Sequence, residues 1–139
     1  MADRAKLCIY AKGDTYDRLH TMVGLVSTAA SMDWEAHIYL TYGALYRFCH
    51  ETMGEAEVGI STPEVAEAYR KGIDSGRIPD LDELFEEARQ LGGDRIRLYA
   101  CTTSIKLLHL DGDLLSDFDG LLGHASFLQI ASDGKLVVT

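Results

Sequence analysis

Short apolar runs alternate with longer amphipathic segments along the chain. The run KLCIYA is rich in strand-forming residues and ends before Gly13, which predicts a first, central β-strand. Apolar residues then recur at helical spacing between Leu19 and Ala30, which predicts a helix capped by Asp14 or Thr15. The segment WEAHIYLTY alternates again and predicts a second strand, and GALYRFCHETMG predicts a short helix after it.

The middle of the chain is its most polar part and predicts two further helices. Thr62 followed by Pro63 is typical of an N-cap with proline at the first helical position. Asp80 is placed to cap the segment LDELFEEARQLGG, which Gly92 and Gly93 close. These start and stop signals define two helices before the third strand.

The last part of the chain predicts two strands and two helices. RIRLYAC predicts the third strand, TTSIKLLHL the helix after it, the segment after Gly123 another helix, and GKLVVT a last strand. Strands alternate with helices without repeats or low-complexity linkers. The pattern predicts one α/β domain over residues 1–139, a three-layer fold with a mostly parallel sheet flanked by helices. Such folds place ligands at the carboxyl ends of their strands, and Cys101 lies at one such end.

Length and charge narrow the classes of function. At 139 residues the chain is long enough to bury a core without disulfide bonds. Thirteen basic and twenty-two acidic residues give a net charge of −9, which argues against a nucleic-acid partner because backbone binding needs clustered lysine and arginine. No apolar run approaches the roughly 20 residues of a membrane span, and LCIYA is too short for a signal-peptide core. The sequence therefore predicts a cytoplasmic protein.

The three cysteines are the main candidates for chemistry. An odd number of cysteines in a chain without an export signal predicts free thiols. The sixth residue after Cys101 is Leu107 rather than the arginine that a phosphatase loop needs, and neither glycine-rich nucleotide motif is present. The histidines and cysteines lack the paired spacing of a zinc site. Thiol chemistry is the class of reaction that remains.

Cys101 stands at the predicted junction of a strand and a helix. Backbone N–H groups and the dipole at a helix start stabilise a thiolate, so we expect the pKa of Cys101 to fall below the usual value of about 8.5. Thr102, Thr103 and Ser104 add hydroxyl groups that can cap the helix or donate to the sulfur. Buried cysteine also serves as a small apolar residue. We favour that role for the other two cysteines, and position alone leaves both roles open for Cys101.

Four segments of the chain follow the order of segments in a known protein family. AKGDTYDRLHTMVGLVSTAASMDWEAHIYLTYGAL corresponds to the opening strand, helix and second strand, and LYACTTSIKLLHL corresponds to a strand–cysteine–helix segment. GHASFLQIAS corresponds to the final helix and KLVVT to the last strand. With this ordered set, which covers nearly the whole chain, the sequence resembles the DsrE/DsrF-like sulfur-relay proteins, particularly the subgroup labelled peroxiredoxin-like.

The resemblance implies a DsrE-like domain that assembles into homotrimers or hexamers. It also implies a sulfurtransferase type of activity, in which Cys101 carries sulfane sulfur as a persulfide between donor and acceptor proteins. Such a site needs no metal and no organic cofactor. The residues expected to support the thiol are Thr102, Thr103 and Ser104 at the helix start and, from topology alone, Lys12, Gly13 and Tyr42 at the same sheet edge.

Two other functions stay open at this point. The protein could be a non-catalytic oligomeric module that binds a small ligand in the strand-end cleft, with Cys101 only lining it. A peroxidase would instead consume peroxide through a sulfenic acid at Cys101. Donor-dependent gain of sulfur at Cys101 favours the relay, whereas an unreactive thiol of ordinary pKa favours the binding module.

Overall fold

Five strands form one sheet in the computed structural model, which describes residues 4–139. The strands are β1 (Lys6–Ala11), β2 (Glu35–Leu40), β3 (Ile96–Cys101), β4 (Gly120–Leu122) and β5 (Lys135–Val138). They lie in the order β4-β3-β2-β1-β5, and every pairing between neighbours is parallel. The predicted α/β class, with a mostly parallel sheet flanked by helices, is confirmed.

Within residues 4–139, six α-helices join or follow the strands. They are α1 (Tyr16–Ser31), α2 (Tyr42–Cys49), α3 (Pro63–Asp74), α4 (Leu81–Gly92), α5 (Thr102–Leu107) and α6 (His124–Ala131). The predicted starts of α3 and α4 are confirmed. Pro63 is the first residue of α3 after Thr62, and the Asp80 carboxylate accepts hydrogen bonds from the N–H groups of Asp82 and Glu83. None of the helices in residues 4–139 has both the length and the apolar character needed to cross a membrane.

The ends of the helices follow the backbone conformation of single residues. Thr15 is the N-cap of α1, and Gly93 follows α4 with a φ of 56°, a left-handed conformation that glycine adopts without strain. α5 is shorter than the segment TTSIKLLHL predicts. It ends at Leu107 because His109 has a φ of 53° and Leu110 turns into the core.

The sheet differs from the prediction in two details. β1 is interior rather than central, because β5 pairs with its outer side and β2 occupies the middle of the sheet. The sequence also does not predict β4, whose three residues GLL are too few to show a strand pattern. β4 forms because its residues pair with the end of β3.

The connections between strands place helices on both faces of the sheet. The steps from β1 to β2 and from β2 to β3 run in one direction, so right-handed crossovers carry α1 and α4 to the same face. The return from β4 to β5 runs in the opposite direction and carries α6 to the other face. The larger core lies under α1 and α4 and includes Ile9, Val23, Ile38 and Phe85.

The face under α6 has a smaller core. Only Phe127 and Ala131 of this helix are buried, and they pack with Cys8, Tyr39 and Cys101. A single helix of eight residues therefore covers the face of the sheet on which Cys101 lies.

Candidate functional site

Cys101 is the last residue of β3 and the N-cap residue of α5. It lies at the carboxyl end of its strand, as the sequence predicts, but its side chain is fully buried. Tyr39 and Phe127 belong to the cluster that encloses it under α6. Ser104, in the first turn of α5, is equally buried. The thiol therefore lies at the expected edge of the sheet beneath a cover of other side chains.

The surroundings of Cys101 favour the ionised form of its thiol. Burial raises the pKa of a thiol because a thiolate loses its hydration. Hydrogen bonds from the side chains of Ser104 and Tyr39 and from the N–H groups of Ser104 and Thr103 outweigh burial, so the pKa of Cys101 lies below its ordinary value. The neutral thiol makes no capping hydrogen bond. We infer that these donors act on the thiolate.

The short length of α5 changes the physical reason for this effect. The sequence indicates a helix dipole acting on the sulfur, but α5 has only six residues. Individual donors at the helix start, rather than a long helix, therefore lower the pKa of Cys101.

Ser104 joins the thiol to the loop after β2. Its Oγ accepts a hydrogen bond of 2.8 Å from the N–H of Tyr42, which leaves the hydroxyl hydrogen free to donate to the Cys101 sulfur. Tyr42 has a φ of 45°, a conformation that tyrosine rarely adopts, so this bond helps to hold the junction of β2 and α2. The sequence predicts Tyr42 as an apolar wall. Tyr42 is 37% exposed, and its N–H group makes the connection to the site.

Tyr39 is the site residue that the sequence does not indicate. It is fully buried in β2, and its hydroxyl donates a hydrogen bond of 3.0 Å to the carbonyl oxygen of Leu122. Its ring stacks on Phe127 with centroids 4.6 Å apart, and its hydroxyl also serves the Cys101 sulfur. Strand alternation assigns Tyr39 to one face of the sheet, but only the pairing of β2 with β3 brings it to the thiol.

The other predicted site residues differ in what they contribute. Thr103 supplies its backbone N–H while its side chain is exposed, and Thr102 is half-buried. Lys12 and Gly13 follow β1 at the same sheet edge, but Lys12 is exposed and its charge is not a leading cause of the lowered pKa of Cys101. Gly13 serves packing, because a Cβ there would lie 2.6 Å from the carbonyl oxygen of Thr139.

The other two cysteines lie where a thiolate is disfavoured. Burial raises the pKa of Cys8. Burial, with a smaller effect of the Asp117 charge, raises the pKa of Cys49 to about 11. The Sγ of Cys49 lies 3.5 Å from the carbonyl oxygen of Leu114, and Cys49 lines a cleft of about 420 Å³. Cys101 does not line this cleft, so a ligand bound there would not meet the candidate thiol.

The raised pKa of Cys49 predicts a loss of stability in alkaline solution. A raised folded-state pKa stabilises the fold below the unfolded value of 9.0, and this contribution is lost as the pH rises towards about 11. We expect Cys49→Ala to make the free energy of unfolding fall less steeply over this range. Denaturant titrations of both proteins between these pH values measure the difference. Equal slopes would show that folding does not perturb Cys49.

The fold and the site together define a class of protein. It is an α/β protein whose parallel sheet holds a thiol of lowered pKa at the carboxyl end of β3. Among residues 4–139, no group of three His, Cys, Asp or Glu side chains is placed to hold a metal ion. No protein-family model matches the chain, and no curated protein matches it in sequence.

Proposed function

We propose that the protein is a sulfur-relay protein of the DsrE/DsrF-like type, in which Cys101 carries sulfane sulfur as a persulfide. The position of Cys101 carries the proposal: its buried thiol lies at the junction of β3 and α5, where donors from Ser104, Thr103 and Tyr39 hold the pKa below its ordinary value. Burial alone would raise the pKa of a cysteine that only fills space, as it does at Cys8. The donors around Cys101 therefore stabilise a thiolate, which is the form that reacts in sulfur transfer.

Sulfur transfer through Cys101 requires two exchanges of an S–S bond. The Cys101 thiolate attacks the outer sulfur of a donor persulfide, and the donor leaves as a thiolate with the electron pair of the broken bond. An acceptor thiolate then attacks the outer sulfur on Cys101, which leaves as a thiolate in turn. Each step replaces one S–S bond by another, so the relay consumes no oxidant or reductant.

The burial of Cys101 limits which molecules reach its sulfur. Tyr39 and Phe127 lie in the cluster around it, and the residue has no exposed surface. The thiol of a partner protein needs this cover to move, whereas a small sulfane donor such as inorganic polysulfide needs a much smaller opening. Small donors are therefore the first choice for loading experiments.

The proposal extends to assembly, partners and location. A donor protein and an acceptor protein complete the relay, and the protein assembles as a homotrimer or hexamer in the cytoplasm. Exposed apolar side chains support an assembly; they are Leu121, Leu128, Leu136 and Val138. Three free cysteines are the state expected in a reducing compartment.

A non-catalytic binding module is the second candidate function. The observation that favours it is the cleft of about 420 Å³, where Phe48 and Phe85 give apolar surface beside the Cys49 thiol. A protein of this kind would bind its ligand there without any role for Cys101. It would take up no sulfur at Cys101 and would be unaffected by changes to that residue.

Delivery of sulfur to an acceptor tests the relay itself. The protein is loaded with inorganic polysulfide, desalted, and mixed with an excess of a low-molecular-weight thiol. We expect the protein to lose the mass of one sulfur atom and the thiol to gain it as a persulfide, because an acceptor thiolate can displace Cys101. Cys49→Ala is the matched control and should deliver sulfur equally well. A loaded protein that keeps its sulfur under these conditions is not a relay.

A further inference from the structure

The hydroxyl of Tyr39 has one hydrogen to donate and lies near two possible acceptors. In the structure it donates a hydrogen bond of 3.0 Å to the carbonyl oxygen of Leu122. The sulfur of Cys101 belongs to the same buried cluster and is the second acceptor, which the hydroxyl favours when the thiol is ionised. Cys101 and Leu122 are direct neighbours in the pairing of β3 with β4, so both acceptors lie beside the same hydroxyl. A phenol carries a single O–H hydrogen and cannot donate fully to both. The two hydrogen bonds therefore compete.

The charge on the sulfur decides this competition. A neutral thiol is a weak acceptor, so the carbonyl oxygen of Leu122 keeps the hydrogen, as in the structure. A thiolate accepts a charge-assisted hydrogen bond, which is roughly twice as strong as a bond between neutral groups. Ionisation of Cys101 therefore turns the Tyr39 hydroxyl towards the sulfur and leaves the carbonyl without this donor.

The Leu122 carbonyl belongs to the segment that begins α6. Leu122 ends β4, Gly123 is the N-cap of α6, and His124 is its first residue. Two side-chain hydrogen bonds from the sheet hold this start: the Tyr39 hydroxyl bonds the carbonyl oxygen of Leu122, and the Tyr10 hydroxyl bonds the Nε2 of His124.

The far end of α6 has a separate attachment. The Lys6 ammonium donates hydrogen bonds to the carbonyl oxygen of Ile130 and to the Asp133 carboxylate. Loss of the Tyr39 bond to Leu122 would loosen the first turn of α6 while this end stays fixed. The cover of Cys101 would then open more readily at this end of α6.

We propose that Tyr39 couples the charge of Cys101 to the anchoring of α6, the helix that covers the thiol. While Cys101 is protonated, Tyr39 holds the carbonyl oxygen of Leu122 and the cover is closed. When Cys101 is a thiolate, Tyr39 turns to the sulfur and releases the start of α6, which admits the thiol of a partner. The identity of that partner rests on the proposed function, but the coupling itself does not.

Other titratable side chains lie on this face of the sheet or beside it. They are Cys8, Tyr10, His37, Tyr42, Tyr99 and His124. His124 needs the closest control, because it lies on α6 and its Nε2 is 2.7 Å from the Tyr10 hydroxyl. A comparison with Cys101→Ser at the same pH cancels the effects of these groups, since only the thiol differs.

Amide hydrogen exchange of residues 123–131 tests the coupling in the full chain without any sulfur donor. Protection is compared between wild type and Cys101→Ser at one pH below and one pH above the midpoint of Cys101 ionisation. We expect wild type to lose protection relative to Cys101→Ser by about threefold to tenfold above the midpoint, the effect of one neutral hydrogen bond. In the Tyr39→Phe background, the protection of residues 123–131 should change with pH in the same way whether residue 101 is cysteine or serine.

Tyr10→Phe is the matched control, because the hydroxyl that it removes bonds His124 on the same helix. Tyr10→Phe should lower the protection of α6 at both pH values. The extra loss of protection that ionisation of Cys101 causes should remain. Tyr39→Phe retains the ring that stacks on Phe127, so we expect it to fold. The comparison of wild type with Cys101→Ser tests the coupling even without that variant. Equal protection of α6 in wild type and Cys101→Ser at both pH values would overturn the proposal. A difference in protection between cysteine and serine at position 101 that remains in the Tyr39→Phe background would also overturn it. Sulfur loading is measured separately, so either idea can fail alone.

Discussion

Cys101→Ser is expected to abolish the uptake of sulfur from a sulfane donor. Wild-type protein incubated with polysulfide and then desalted should gain the mass of one sulfur atom, located at Cys101 by peptide mass spectrometry. The serine side chain is close to cysteine in shape, but its hydroxyl forms no thiolate to attack sulfur. The expected change is from nearly full occupancy to none.

The two other cysteines supply the controls for this experiment. Cys8→Ala and Cys49→Ala should both load like wild type, because burial raises the pKa of each thiol and keeps it protonated. Sulfur that appears on Cys101→Ser would assign the chemistry to another cysteine. Loss of loading in Cys49→Ala would point to the cleft instead of the strand end.

Ser104→Ala is expected to lower both the reactivity of Cys101 and the stability of the fold. The variant removes one donor to the sulfur, so the thiolate fraction and the loading rate near neutral pH should fall roughly tenfold. It also leaves the N–H of Tyr42 without the acceptor that it has at 2.8 Å. An unpaired group near the buried site lowers the free energy of unfolding by about 1–3 kcal/mol. Initial loading rates and denaturant titrations measure the two effects.

Thr103→Ala is the matched control for this variant. Thr103 is the neighbouring residue of α5, its side chain is exposed, and only its backbone N–H serves the sulfur. Loading should therefore be unchanged, and the free energy of unfolding should change by less than about 0.5 kcal/mol. If both variants slow loading equally, general damage to α5 explains the result better than the Ser104 hydroxyl does.

Much of the fold follows from local patterns in the sequence. The buried run KLCIYA forms β1 with the bounds that the pattern predicts, and the cap at Asp80 starts α4. The features that the sequence pattern does not predict depend on residues far away in the chain or in the fold. β4 has only three residues and forms because β3 supplies an edge, and the end of α5 depends on the burial of Leu110. Neither effect leaves a periodic signal in the sequence.

The candidate site divides in the same way. Cys101 and Ser104 are neighbours in sequence, so the strand–helix junction predicts both. Tyr39 lies 62 residues before Cys101, and only the sheet order brings its hydroxyl to the thiol. Lys12 shows the opposite case, since topology alone assigns it to the site, whereas in the structure hydrogen bonds rather than its charge are the leading effects that lower the pKa of Cys101.

Hydrogen bonds hold the buried thiol of Cys101 ready to ionise. A pH titration of thiolate ultraviolet absorbance in wild type, minus the same titration of Cys101→Ser, isolates Cys101 without requiring a reagent to enter the site. We expect a midpoint below the range of about 8.5–9.0 that is ordinary for a free thiol, and below the midpoint of Cys49. A midpoint within or above this range would show that burial outweighs the donors and that Cys101 is not held ready to ionise.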